Sequence, residues 1–408
     1  MAASARWNAL GLVAGMVAIS LNQRPALVAV GALTAQLRAE TGLSAAAVSM
    51  LTTLPLLCFG VVAGLAAPIS RRWGMDRTVV AALAVLVAGI AIRLVPSIAA
   101  LFVGSAVAGI GIAVTNVMLP SVIKRDYPTK VGLMMGVYSL CLNGGAAIAA
   151  AASVPIGQAL HTNWRVALAS WGLLSVVALL LWLPRVMSGA GRTDAPTGSV
   201  LRVWGSSLAW AVAAYMALQS LIYYALIAWL PTVFHDAGMS ESRAGVMPGI
   251  MSATGMVASL AIPIIATRLT NQHALVMVSV LSFTVGLVGL LADPLHGAPL
   301  WATLLGIGQG SGIGLSLILF VLRSRSASAA AELSGMAQAI GYLVAACGPL
   351  AAGVLHDVTG GWGVSVSALL ACAAALVGAG WIAAADRSVE DDLALSKTAR
   401  RATSESGA

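Results

Sequence analysis

A chain of 408 residues that is 59% hydrophobic and 9% charged stands far from soluble domains, which run at roughly 45–50% and 25%, so water is not its main solvent. The net charge of +8 suggests an anionic partner only if the basic residues share one face, and they do not. The four cysteines, Cys58, Cys141, Cys347 and Cys372, fall inside apolar segments with no CxxC or His/Cys ligand spacing, which leaves no pattern for a disulfide framework or a metal site.

Apolar stretches long enough to cross a hydrocarbon core, about 20 residues each, recur down the chain. They are apolar on every face and rich in Gly and Ala, as spanning helices are and transmembrane strands are not. The first half is expected to hold helices near 7–37, 44–70, 76–95, 98–123, 131–158 and 163–183. The second is expected to hold helices near 205–234, 240–267, 273–292, 298–322, 330–355 and 361–384. The first stretch is too long for a secretory signal and carries Arg24 mid-span, so it is expected to be retained as a helix. The fold class is thus an all-α membrane protein of twelve transmembrane helices. Its expected parts are an N-terminal six-helix bundle (1–184), a cytoplasmic linker (185–204) rich in Gly and Pro, a C-terminal six-helix bundle (205–385) and a cytoplasmic tail (386–408).

With both termini cytoplasmic, 17 of the 22 Lys and Arg residues fall on the inner side. Only Arg38, Arg93, Arg165 and Arg243 fall in outer loops, and Arg24 lies within a span. Such a bias across many short loops is a topology signal, and it removes the case for nucleic acid, which needs one basic face. An internal repeat relates the halves. At an offset of 199, Gly109, Gly111, Lys124 and Gly136 meet Gly308, Gly310, Arg323 and Gly335. At an offset of 196, the turn Glu40-Thr41-Gly42-Leu43-Ser44 meets Asp236-Ala237-Gly238-Met239-Ser240, each Ser placed to cap the next helix.

Arg24 is the most informative residue, since a charge inside a span costs about 2.5–3.5 kcal/mol on insertion scales. It sits in Asn22-Gln23-Arg24-Pro25, where the proline removes a backbone donor and loosens the helix. Its planar fork of donors suits a small anion or a planar polar solute. Gln23, Asn116, Gln219, Tyr223, Gln309, Gln338 and Tyr342 are expected to complete a substrate site. Gln219 with Tyr223, and Gln338 with Tyr342, are i,i+4 pairs on one helix face. Asn143 and Tyr224 are weaker candidates, and for each of these residues a plain interhelical hydrogen bond is the competing reading. No acid lies mid-span. Glu332, near Arg323 and Arg325, is read as a structural acid in the first turn of its helix. His161, His235, His273, His296 and His356 fall at helix ends or in loops, so no catalytic residue, cofactor or metal is expected.

These residues resemble the major facilitator superfamily, and within it the cyanate and 2-nitroimidazole transporter group, over nearly the whole chain. The resemblance rests on Asn22-Gln23-Arg24-Pro25-Ala26, Leu51-Thr52-Thr53-Leu54-Pro55 with Cys58-Phe59-Gly60, Gly111 to Pro120 leading to Lys124-Arg125-Asp126, and Trp229-Leu230-Pro231. It implies two pseudo-symmetric six-helix bundles, a cavity lined by helices 1, 4, 7 and 10, and alternating access by rocking of the halves. The loop between helices 2 and 3 departs from the superfamily's Gly-x-x-x-Asp-Arg-x-Gly-Arg-Arg. Arg71 stands where the Asp is expected and Met75 where a base is expected, so a charge latch through that Asp is not carried over.

The expected function is a secondary active or facilitative carrier of a small anionic or planar polar solute, cyanate-like or nitroimidazole-like. It is expected in a bacterial inner membrane as a monomer, with the lipid bilayer and the solute as its partners. A multidrug or metabolite exporter is the nearest rival; it would call for a wider, more aromatic cavity than 5% aromatics provides. A channel is disfavoured by the two-fold repeat, and an intramembrane enzyme by the lack of embedded acid, His or metal clusters.

Overall fold

The computed structural model describes residues 2–159, 163–187 and 203–395; His161, the body of the expected linker (188–202) and the tail beyond 395 lie outside these. The described residues form helices and no strand. The first stretch gives α1 (Ala2–Asn22), α2 (Pro25–Ala32) and α3 (Thr34–Thr41). Then come α4 (Ala45–Trp73), α5 (Met75–Ile92), α6 (Ile98–Asp126), α7 (Val131–Ala159), α8 (Trp164–Ser170) and α9 (Gly172–Met187). The second half holds α10 (Ser207–Asp236), α11 (Glu241–Ala266), α12 (His273–Ala292), α13 (Ala298–Leu322), α14 (Ala327–Thr359) and α15 (Trp362–Ala383). Among the described residues, eleven helical segments are long and apolar enough to span a membrane. In the first position α1 ends at Asn22 and the apolar run resumes in α2 at Pro25, so the expected twelfth span is present but broken.

Proline alone does not make that break, because Pro55, Pro68 and Pro120 lie inside the continuous helices α4 and α6. What differs at Pro25 is the polar run before it. Asn22 and Gln23 are fully buried and bond sideways to other helices, while Pro25 has no N–H to give the carbonyl of Leu21. α7 closes on that carbonyl. A Cβ added at Gly145 would lie 2.2 Å from the Leu21 oxygen, so only glycine permits the approach.

Close contacts divide the chain into two compact units, 1–122 with 140–197, and 123–139 with 198–408. In the first unit α2 and α3 pack Ala29, Val30, Leu33 and Leu37 against Leu51, Leu101 and Trp164. In the second, the end of α6 and the start of α7 join α10–α15. There Lys124 gives its ammonium to the carbonyls of Val321 (2.6 Å) and Ser324 at the end of α13, where a cation meets the negative end of the helix dipole. After α15 the chain straps the same face. Asp392 accepts from Ser206 Oγ (2.7 Å) and the Leu208 N–H (3.2 Å) at the start of α10. Arg323 donates to the carbonyls of Ala383 (2.8 Å) and Ala384 (2.9 Å).

The two related turns keep their shared geometry. Gly42 (φ 66°) and Gly238 (φ 104°) both adopt a left-handed backbone that disfavours a side chain. Ser44 caps α4 by accepting from the Ala47 N–H at 3.2 Å. Ser240 holds the same place with extended backbone but makes no side-chain cap, so that part of the expected match is corrected. The Glu332 reading also changes. α14 starts at Ala327, capped by Ser326, which puts Glu332 in the second turn and buried, beyond the reach of the first-turn dipole that motivated the expectation. Arg93 and Arg165, expected as outer-loop charges, are 1% and 8% exposed.

Candidate functional site

The sequence-predicted residues divide between the units, and each set is built differently. In the first unit the break in the opening span positions three consecutive polar residues. Asn22 donates from Nδ2 to Ser175 Oγ of α9 at 2.7 Å. Gln23 Oε1 accepts from Thr115 Oγ1 of α6 at 3.2 Å, leaving its Nε2 buried without a partner among the described residues. Turning the amide over does not cure this. Thr115 can give its hydroxyl proton to the carbonyl of Gly111 or Ile112, each at 3.0 Å, and accept from Gln23 instead, but the oxygen is then the orphan. Gln23 therefore keeps one hydrogen bond unmade in either orientation, a cost of about 1–3 kcal/mol.

Arg24 follows in the turn, half-buried, its backbone carbonyl accepting from the Val28 N–H at 3.0 Å. Asn116 lies buried beside Thr115 in α6. Asn143 is half-buried in α7, two residues before Gly145.

The second unit's residues are satisfied closer to home. Gln219 donates from Nε2 to Ser220 Oγ at 2.7 Å, with the Met216 carbonyl at 3.3 Å. Gln338 donates to Ser334 Oγ one turn back at 2.7 Å. Gln309 is buried against α11, where a Cβ added at Gly255 would fall 2.4 Å from its Oε1. Tyr342 is buried as well. Among these five only Tyr223 is half-exposed, its ring edge-to-face on Tyr224 at 5.1 Å. A cavity of about 600 Å³ between the end of α10 and the start of α11 is lined by Pro231, Thr232, His235, Glu241, Ala244 and Gly245; none of the predicted residues reaches it.

Thr115 and Ser175 were missed in the sequence, because a hydroxyl in a span satisfies its own helix as a rule and gives no signal of a cross-helix bond. Among the described residues no group of three or more His, Cys, Asp or Glu is placed to hold a metal ion.

Residues 17–349 match the Major Facilitator Superfamily model. The chain is 38% identical to the 2-nitroimidazole transporter of Escherichia coli (strain K12) over 88% of its length and 91% of the relative's. It is also 38% identical to an uncharacterized transporter, YycB, of Bacillus subtilis (strain 168) over 92% and 94%. To the cyanate transport protein CynX of E. coli (strain K12) it is 31% identical over 85% and 90%. The proton:xylose symporter XylE shares its fold, with a TM-score of 0.72 at 15% identity over 94% of this chain and 98% of that one. The chain belongs to the Major Facilitator Superfamily and is a membrane-spanning transporter of the cyanate and 2-nitroimidazole type.

Proposed function

We propose that the protein carries a small anionic or planar polar solute by alternating access, with Arg24 as the principal contact. The observation that carries this reading is the broken first span. It places a guanidinium in a turn beside Gln23, whose amide keeps a hydrogen bond unmade, and a planar solute with acceptor atoms would meet that amide and suit the planar fork of the guanidinium. The solutes for which two relatives are named, 2-nitroimidazole and cyanate, are of this kind. Asn116 lies on the same unit as Gln23 and Arg24, and is assigned with them to solute contact. Of the second unit's residues, Tyr223 is assigned a contact through its half-exposed ring. Gln219, Gln338 and Tyr342 are assigned to the wall behind it, and Gln309 to packing against Gly255. The protein is taken to work as a monomer in a bacterial inner membrane with both termini cytoplasmic.

The test is thermal melting of purified protein with sodium cyanate and 2-nitroimidazole, since a ligand that binds the folded state raises its apparent stability. At least one solute should give a saturable rise that is lost in Arg24→Ala. If Arg24→Ala binds that solute as tightly as the parent, Arg24 is a structural residue and the assignment is wrong.

A further inference from the structure

Arg93 caps the end of α5 and is 1% exposed. Its Nη1 donates to the Ala26 carbonyl of α2 at 2.8 Å, two residues past Arg24. Its Nε and Nη2 are buried and have no acceptor among the described residues. These two N–H groups form one edge of the guanidinium, the side-on pair that grips two oxygens at once. Gly104 of α6 makes room for the stem: a Cβ added there would lie 2.8 Å from Arg93 Cγ.

Charge balance separates this residue from its neighbours. The described carboxylates of the first unit are Glu40 and Asp76, and each faces another arginine. Arg165 has Glu40 at 3.7 Å and the Trp164 ring at 4.3 Å, and Arg185 has Asp76 at 3.0 Å. Arg323, a buried arginine of the second unit, has the Asp386 carboxylate near enough to act on it and donates to Gln272, Ala383 and Ala384 together. Arg93 alone among these four combines full burial, one backbone acceptor and an unmade bidentate edge. A guanidinium does not neutralise itself by losing a proton, and a buried charge with unmade bonds calls for a partner of opposite sign.

We infer that Arg93 is an anion-binding site, separate from the contact assigned to Arg24, that takes a small planar anion offering two oxygens, such as nitrate or a carboxylate. Linear cyanate presents one atom at each end and meets the two N–H groups only by sharing that atom between two bent bonds, so the site ranks planar oxyanions above it.

The experiment is thermal melting of the purified protein in sodium formate, nitrate, cyanate or gluconate at fixed ionic strength, for the parent, Arg93→Met and Arg93→Lys. The parent should show a saturable rise with formate and nitrate at lower concentration than with cyanate. Arg93→Met should lose the formate and nitrate response. Should Arg93→Met fail to fold, Arg93→Lys keeps the charge without the fork and should need about 10- to 100-fold more anion. An unchanged midpoint in either variant, or a parent with no saturable response, would make Arg93 a clamp on the Ala26 carbonyl and nothing more. Arg24→Ala run alongside keeps the two claims apart, because it should spare the response that depends on Arg93.

Discussion

The two units open on helices that the repeat relates, yet one is broken and the other runs on. Gln23 and Gln219 stand 196 positions apart, the same offset as Gly42 and Gly238, and both are buried. Each faces the fourth span of its own unit. Gln23 meets Thr115 in α6, and Gln219 packs on Gly312 of α13, where an added Cβ would fall 3.1 Å from Gln219 Cβ. After Gln23 comes Arg24-Pro25 and a break; after Gln219, α10 continues to Asp236 with its donors bonded locally. The repeat thus preserved the scaffold while the first unit took the break and, beside it, the orphaned atoms of Gln23 and Arg93; the second unit has buried orphans of its own, such as Ser311 Oγ in α13.

The largest expected effect follows from that asymmetry. Arg24→Ala should abolish saturable transport while the protein still reaches the membrane. Arg24→Lys should retain charge and lose the fork, leaving a large loss of affinity. Transport assays in cells with matched expression decide it. Comparable loss from Tyr223→Ala alone, with Arg24→Ala active, would move recognition to the second unit.

Next in size is the backbone approach that each unit makes to its first span. Gly145 lies against the Leu21 carbonyl, whose helical donor Pro25 cannot supply, and Gly348 lies against the Leu221 carbonyl of the unbroken α10, 2.7 Å from an added Cβ. Forcing α7 off the break should cost about 1–3 kcal/mol or more in Gly145→Ala, and Gly348→Ala should fall at the low end of that range. Melting temperatures in detergent compare them. Equal losses would mean that the break places no special demand on the packing around it.

How much of this was legible in the sequence depends on the signal each residue left. Helix positions followed from the long apolar runs, and a charge beside a proline marked a loosened turn at Arg24 within one expected helix over 7–37, short of the break that the structure shows. Arg93 left no such mark. It stands in Ile92-Arg93-Leu94-Val95-Pro96, where an arginine before a proline reads as a loop charge, and only the packing of α5 on α2 and α6 reveals its burial. Its apolar neighbours were the one available hint. The same limit applies to Glu332. The apolar run points to a start near 330, whereas the Ser326 cap starts α14 at Ala327 and moves Glu332 from the first turn to the second.

A smaller effect is expected where the second unit holds its own first span. Burial pushes the Asp392 carboxyl up, but bonds from Ser206, the Leu208 N–H and Ser207, with Arg387 nearby, outweigh it and hold its pKa below the ordinary carboxylate value. The stabilisation is then full above the unfolded pKa of about 3.9 and lost as pH falls through the lower folded value. Asp392→Ala removes the cap and should cost about 1–2 kcal/mol at neutral pH, a difference that narrows on acidification. A loss that does not vary with pH would assign the effect to packing rather than to the carboxylate.

The smallest effect, and the one that most sharpens the comparison of the units, concerns the two related glutamines. Gln23→Leu removes a buried group that keeps one bond unmade, and it leaves no new orphan, because Thr115 still reaches the carbonyls of Gly111 and Ile112. Replacing a half-satisfied polar group by an apolar one of similar size should be neutral or stabilising, within about 1 kcal/mol. Transport should nonetheless fall, since the unmade bond is the one proposed to meet the solute. Gln219→Leu breaks a satisfied bond to Ser220 Oγ and should destabilise by about 0.5–1.5 kcal/mol, with a smaller effect on transport than Gln23→Leu. Paired melting and uptake measurements on the two variants separate the readings. If Gln23→Leu destabilises as much as Gln219→Leu and leaves uptake unchanged, the two glutamines are equivalent packing residues and the polar asymmetry between the units carries no functional meaning.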